Sequence, residues 1–389
     1  MAQFTHRGAA EIAAIEKLAG QLLAVFAAEG FTRTEPAIIQ PIARVLDREG
    51  EEMRGRTFIV NDPAGNEFCL RTDLTIPACA EYLEVGGSFP ARLCYHGPVF
   101  RHQPHEPARP VQFWQAGIEI LGLEDRRAGE IEAMRLTVAA LRAAGLPDFE
   151  MKIGDLGLFS ALVDGLDIPE QWRGRLKRHF WRSGYFEALL ARMTRGAATD
   201  SQRLLAHLGT LAPAEAGQAV EGLLDLVGHA PLGGRTREEI VERLIEQAAD
   251  AAALRLDPAL AALLSRFLQV SGPAAQALAD IRALTTAAGA ALDSALDAMT
   301  ARLDALSQLG IDAGKVRFAA RFGRNMEYYT GFVFELWSRD AEGAVQVAGG
   351  GRYDGLLEAL GSPRPVTAVG SAIRTERVLA ALRFAGRRA

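Results

Sequence analysis

Cysteine is scarce in this chain. Cys69, Cys79 and Cys94 are the only three in 389 residues, with neither a Cys-x-x-Cys pair nor the His/Cys spacing of a zinc site. A disulfide framework is therefore excluded, and reduced thiols in an intracellular protein are expected. Long apolar runs are missing too: no stretch approaches the roughly 18–20 residues of a membrane span, and the N-terminus lacks a charged-then-apolar leader. A soluble protein with no membrane partner is the expectation. There is no surplus of positive charge. The formal net charge is −5, whereas proteins that grip nucleic acid by its phosphates carry excess Lys and Arg. The one basic run, Arg383, Arg387 and Arg388, reads as a solvated end. Gly349-Gly350-Gly351 is not followed by Gly-Lys-Ser/Thr, so a phosphate loop is a poor reading and no cofactor is called for.

Apolar residues make up 49% and charged residues 23% of the chain, a balance that builds a packed core, and the length fits two or three domains. Ile12, Ile15, Leu18, Leu22, Val25 and Phe26 recur every three or four residues, which predicts a helix from about Ala10 to Glu29 stopped by Gly30. Strands are predicted at Thr57 to Asn61 and Glu67 to Arg71, joined by Asp62-Pro63-Ala64-Gly65-Asn66, and again at Arg92 to His102 and Val111 to Leu121. A helix follows from about Asp125 to Ala144. From about Gly157 to Gly310 strand signals vanish and alanine and leucine dominate. Strands return at Val316 to Phe322, Phe332 to Trp337 and Ala344 to Val347, with short helices near Tyr353 to Leu360 and Thr375 to Phe384. Strands without regular βαβ alternation favour an α+β fold with an antiparallel sheet. The expected division is a core in two parts, 1–156 and 313–389, interrupted by a helical insertion over 157–312.

Three segments are polar where a core strand should be apolar. In Leu70-Arg71-Thr72-Asp73-Leu74-Thr75, Asp73 and Thr75 sit two apart at a strand end, where a carboxylate and a hydroxyl can hold an ammonium group; a turn cap ahead of Ile76-Pro77 is the plainer reading. In Phe113-Trp114-Gln115-Ala116-Gly117-Ile118-Glu119, Gln115 and Glu119 share one strand face with Gly117 between them, which leaves room for a small ligand. The same alternation also fits the wet half of an edge strand. Arg324-Asn325-Met326-Glu327-Tyr328-Tyr329 and Gly350-Gly351-Arg352-Tyr353-Asp354-Gly355-Leu356 read as a ligand wall and a glycine turn that admits close approach, or as a packed aromatic core.

Taken together these segments resemble the class II aminoacyl-tRNA synthetase core of the histidyl-tRNA synthetase family. Arg324 to Tyr329 is similar to its histidine signature, Gly350 to Leu356 to its glycine-rich element, and Phe100 to Glu119 to motif 2. Val369-Gly370 to Glu376-Arg377 is similar to motif 3, and Gly30-Phe31 to Pro41 more weakly to motif 1. The resemblance implies an L-histidine pocket built from Asp73, where the family has Glu, with Thr75, Arg101, Gln115, Glu119, Arg324, Tyr328, Tyr329 and Tyr353. It also implies damage to the adenylation machinery. Gln103 replaces an acid, Pro104 a basic residue, Val111 an arginine, and Arg374 stands where a glycine would let ATP approach.

Only 12 residues follow Arg377, whereas an anticodon-binding domain needs on the order of 100, so tRNA is not an expected partner. An amino-acid pocket retained beside lost nucleotide chemistry resembles the synthetase-like regulatory subunits of ATP phosphoribosyltransferase. That resemblance implies a noncatalytic cytoplasmic subunit, a homodimer within a hetero-oligomer, paired with a short-form catalytic subunit and carrying histidine feedback. An active truncated synthetase, or a relative that adenylates an amino acid, is the alternative.

Overall fold

We describe the chain from a computed structural model, in which residues 6–44, 53–103, 109–180, 183–195, 207–208, 210–227, 256–289, 292–322 and 328–386 are placed. It divides into two units, one formed by Met1–Gly165 with Gln269–Ala389, the other by Leu166–Leu268. The expected insertion of 157–312 is thus too wide. Helices Ala274–Ala287 and Asp293–Gln308 belong to the first unit, because the last of these buries Leu296, Met299 and Leu306 and packs on helices Arg126–Ala143 and Leu156–Asp164.

The first unit carries twelve strands among its described residues: β1 Thr32–Arg33, β2 Ile39–Pro41, β3 Ile59–Asn61, β4 Glu67–Leu70, β5 Ala91–Phe100, β6 Gln112–Leu121, β7 Glu150–Asp155, β8 Ser271–Pro273, β9 Val316–Ala319, β10 Phe332–Asp340, β11 Gly343–Arg352 and β12 Ala368–Arg374. Nine form one sheet in the order β1-β5-β6-β12-β11-β10-β7-β9-β8, and β2-β4-β3 form a second. Pairing is antiparallel except for β1 with β5 and β7 with β9. The α+β, mainly antiparallel expectation therefore holds.

The periodic helix spans Ala9–Ala28, and Gly30 at φ +81° ends it in a conformation that costs glycine nothing. Helix Arg126–Ala143 starts where the Asp125 side chain accepts from the Ala128 amide. Both helices lie against the sheet on the side of Ile118 and Ser371, whose hydroxyl meets that of Thr137 at 2.7 Å. Strand alternation sends Tyr95, Gln115, Gly117, Glu119, Gly370 and Ala372 to the opposite face, since Tyr95 pairs with Gly117 and Glu119 with Gly370. That face carries the site.

Three features differ from expectation. Strands β7 and β12 were not anticipated as strands. Gly349-Gly350-Gly351 is no turn but the C-terminal part of β11, paired on both sides. A side chain on Gly351 would come within 2.6 Å of the Phe332 carbonyl, so these glycines let backbones lie close rather than reverse direction. The second unit is helical in its described residues, with Glu170–His179, Ser183–Arg195, Pro213–Val227 and Pro258–Gln269 and a core that includes Trp172, Leu176, Phe186, Leu264 and Phe267. No helix among the described residues is long and apolar enough to cross a membrane.

Candidate functional site

Strand β6 runs between β5 and β12, so Gln115 and Glu119 project from the middle of the sheet. They are 3% and 0% exposed, which rules out the wet edge-strand reading. Their floor is cleared by small residues. A Cβ on Gly117 would come within 2.6 Å of the Tyr95 ring and 2.5 Å of the Ser371 carbonyl, and one on Gly370 would strike the Glu119 carboxylate. Asp73 and Thr75 come from the turn before, and the first residue of, helix Thr75–Glu84 rather than from a strand end. Both readings of Asp73 apply: Oδ1 accepts from the Ile76 amide at 3.2 Å, while Oδ2 accepts from the Tyr328 hydroxyl at 3.3 Å.

Asp73, Thr75, Arg101, Gln115, Tyr328, Tyr329, Tyr353, Gly370, Ser371 and Ala372 line one cavity. The space open to the centre of a water-sized sphere is about 20 Å³, room for about one water. Seven of the nine expected site residues meet on its wall. Arg324 lies outside the described residues, as do Pro104, Arg387 and Arg388. Glu119 sits behind the wall, fully buried. Its Oε1 accepts from the Tyr95 hydroxyl at 2.6 Å and its Oε2 from the Tyr353 hydroxyl. Burial pushes its pKa up to about 7, opposed by hydrogen bonds from Tyr353, Tyr95 and Thr75. Burial, and next to it the Glu119 charge, likewise holds both tyrosine hydroxyls well above their usual range.

Tyr328, Tyr329 and Tyr353 form an aromatic wall with ring centroids 4.9–6.5 Å apart. Packed core and ligand wall are here the same object. Arg101 is buried and donates from Nε to the Thr72 carbonyl at 2.8 Å. Gln115 Oε1 is buried and has no donor among the described residues. A buried amide oxygen without a partner costs about 1–3 kcal/mol, a deficit that a ligand N–H or ammonium removes. Tyr95 was missed as a site residue. It reads as one more apolar strand position, and only the register opposite Gly117 reveals it.

On the other side of Arg101 a cavity of about 630 Å³ opens between Arg56, Arg109, Phe113, Arg374, Arg377, Glu335, Glu342 and Glu376. The Arg374 guanidinium lies 4.6 Å from the centre of the Phe113 ring and the Arg101 guanidinium 5.5 Å from it. Arg374 thus covers the Phe113 face and lines the cavity beside it without filling it.

The histidyl-tRNA synthetase family model matches residues 3–221 and 220–378. An ATP phosphoribosyltransferase regulatory subunit from Chelativorans sp. (strain BNC1) is 35% identical over 365 residues, 92% of this chain and 96% of that protein. One from Rhizobium meliloti (strain 1021) is 34% identical over 380 residues, 92% and 95% of the two chains. The chain belongs to this synthetase-like family of regulatory subunits. The family's fold is matched in solved structures. A crystal structure described as an ATP phosphoribosyltransferase regulatory subunit/histidyl-tRNA synthetase from Bacillus halodurans C superposes with a TM-score of 0.65 at 23% identity, over 98% of this chain and 82% of that one. The histidyl-tRNA synthetase from Nostoc sp. PCC 7120 gives 0.59 at 15% identity, over 99% and 77%.

Proposed function

We propose that the chain is the noncatalytic regulatory subunit of an ATP phosphoribosyltransferase, at the first step of histidine biosynthesis, and that it reads L-histidine with the Asp73–Gln115–Tyr353 cavity. The observation that carries the ligand is the buried, unpartnered Gln115 Oε1 facing the same small space as the Asp73 carboxylate. Asp73 and Gln115 suit an ammonium group, Arg101 and Arg324 a carboxylate, and Glu119 with the tyrosines an imidazole edge. The names of the relatives support a catalytic partner subunit, here a short-form one.

A homodimer fits the small sheet, where Ile39 and Ile59, with Ile38 just before β2, are between 43% and 56% exposed. Feedback then requires that histidine bind the inhibited assembly better than the active one, by about 1–3 kcal/mol in typical couplings. The test is reconstitution. Mixed with the catalytic subunit, the chain is expected to co-purify with it, to raise its activity and to make that activity histidine-sensitive. Gln115→Leu should weaken histidine binding about 5- to 150-fold by calorimetry, the equivalent of one buried polar contact. Unchanged affinity would move the ligand elsewhere, and histidine-dependent ATP–pyrophosphate exchange by the isolated chain would restore the adenylating alternative.

A further inference from the structure

Glu119 does not line the cavity in this structure: Tyr95 takes one of its oxygens, and Tyr353, a wall residue, takes the other. We propose that Tyr353 is a specificity-determining plug: its hydroxyl occupies Glu119 Oε2 in the empty site, and a ligand enters by replacing that O–H with a ring N–H of its own. The inference rests on the reading of the cavity as an amino-acid site and deepens it.

Three observations carry it. The cavity has space for about one water, so a five-membered ring needs a wall residue to withdraw. Tyr353 is the aromatic wall residue whose hydroxyl reaches Glu119, beside the Thr75 hydroxyl and the Cys79 thiol, and its ring stands edge-on to Tyr328 and Tyr329 at 5.6 and 6.5 Å. Tyr95 stays on Oε1 and holds the carboxylate in place over Gly370, whose missing side chain gives the carboxylate its room. The exchange conserves the number of hydrogen bonds on Glu119: one hydroxyl leaves as one N–H arrives, while Tyr95 and Thr75 keep theirs. A ring of the same shape without N–H displaces Tyr353 and leaves Oε2 bare, the costly case for a buried acceptor.

The experiment titrates the full-length chain and its Tyr353→Phe variant with L-histidine and with β-(thiazol-4-yl)-L-alanine, whose ring has no N–H. Wild type is expected to prefer histidine by about tenfold or more. Tyr353→Phe, folded by circular dichroism, is expected to bind histidine several-fold more tightly, since nothing competes for Oε2, and to keep the preference. Equal binding of the two ligands by wild type overturns the plug, and needs no variant to fold. Weaker histidine binding by Tyr353→Phe also overturns it, by making the hydroxyl a direct contact. Histidine binding to neither protein removes the amino-acid reading itself, and the plug with it, a result separate from loss of discrimination.

Discussion

Among the described residues two glutamates are buried in the sheet unit, and they are held in opposite ways. Glu130, 1% exposed, accepts from Arg302 Nε at 2.6 Å and from Arg352 Nε at 2.5 Å. Around it Arg302 approaches Asp155 at 3.4 Å, and Arg352 pairs with Asp354 at 2.8 Å. Glu119, 0% exposed, is met by two tyrosine hydroxyls and forms no ion pair among the described residues. A carboxylate clamped between guanidiniums has its charge balanced within the protein and is spent on structure. One held by neutral hydroxyls has nothing to balance its charge when it ionises, a lack that a ligand bearing N–H groups can relieve. The difference separates a cluster that ties helices Arg126–Ala143 and Asp293–Gln308 to β11 from a cluster with chemistry left to offer.

The comparison breaks most visibly at Glu130. Glu130→Gln takes away the carboxylate that Arg302 and Arg352 share and leaves them only Asp155 and Asp354, so the midpoint of urea unfolding should fall by the equivalent of about 3–5 kcal/mol. Glu119→Gln should act in the other direction. With a folded value of about 7 against an ordinary 4.5, Glu119 keeps a proton in the native state between those two pH values that the unfolded chain releases. Stability from this group is full below 4.5, falls as pH rises through 7, and is then lower by roughly 3 kcal/mol. Glu119→Gln should remove that slope and be the more stable protein at pH 8, while losing histidine affinity. Asp155, pushed up to about 6 chiefly by burial, adds a slope of the same sign between 3.8 and about 6 that the variant keeps. Thermal unfolding at pH 5, 7 and 8 separates the two, and a wild-type profile flat from 6 to 8 would refute the assignment to Glu119.

The sequence made Glu119 legible and left Glu130 invisible. Glu119 interrupts an apolar alternation on a strand, where polarity is out of place. Glu130 sits in an amphipathic helix, where a glutamate is ordinary, and its partners lie 172 and 222 residues away. The same limit explains the strands. The repeats of helices Ala9–Ala28 and Arg126–Ala143 are local and were readable to within a residue or two, whereas Glu150–Asp155 carries charge at both ends and is a strand only because β9 and β10 flank it. Gly349-Gly350-Gly351 favours a turn by every local preference, and close neighbouring backbones make it strand. The site residues were readable as a set through the resemblance. That Glu119 lies behind the cavity wall and is held by Tyr353 was not, because the order of side chains in depth is a property of packing.

The smallest effect sharpens the comparison most. Tyr95→Phe removes the hydroxyl from Glu119 Oε1 and leaves Tyr353 on Oε2. Glu130 would survive losing one neutral donor, since its arginines carry the balance, but Glu119 has only hydroxyls to lose. At pH 8, where Glu119 is ionised in the wild type, the variant should be less stable by about 1–2 kcal/mol, the cost of an unmade hydrogen bond to a buried charged group. At pH 5 the carboxyl is protonated and the loss should shrink to a few tenths, because a neutral oxygen in that position needs the donor far less. The pH 8 minus pH 5 difference in unfolding free energy is therefore the quantity to measure. A loss equal at both pH values would mean that Tyr95 serves Glu119 by filling space alone, and that the hydroxyl cage does not set its charge.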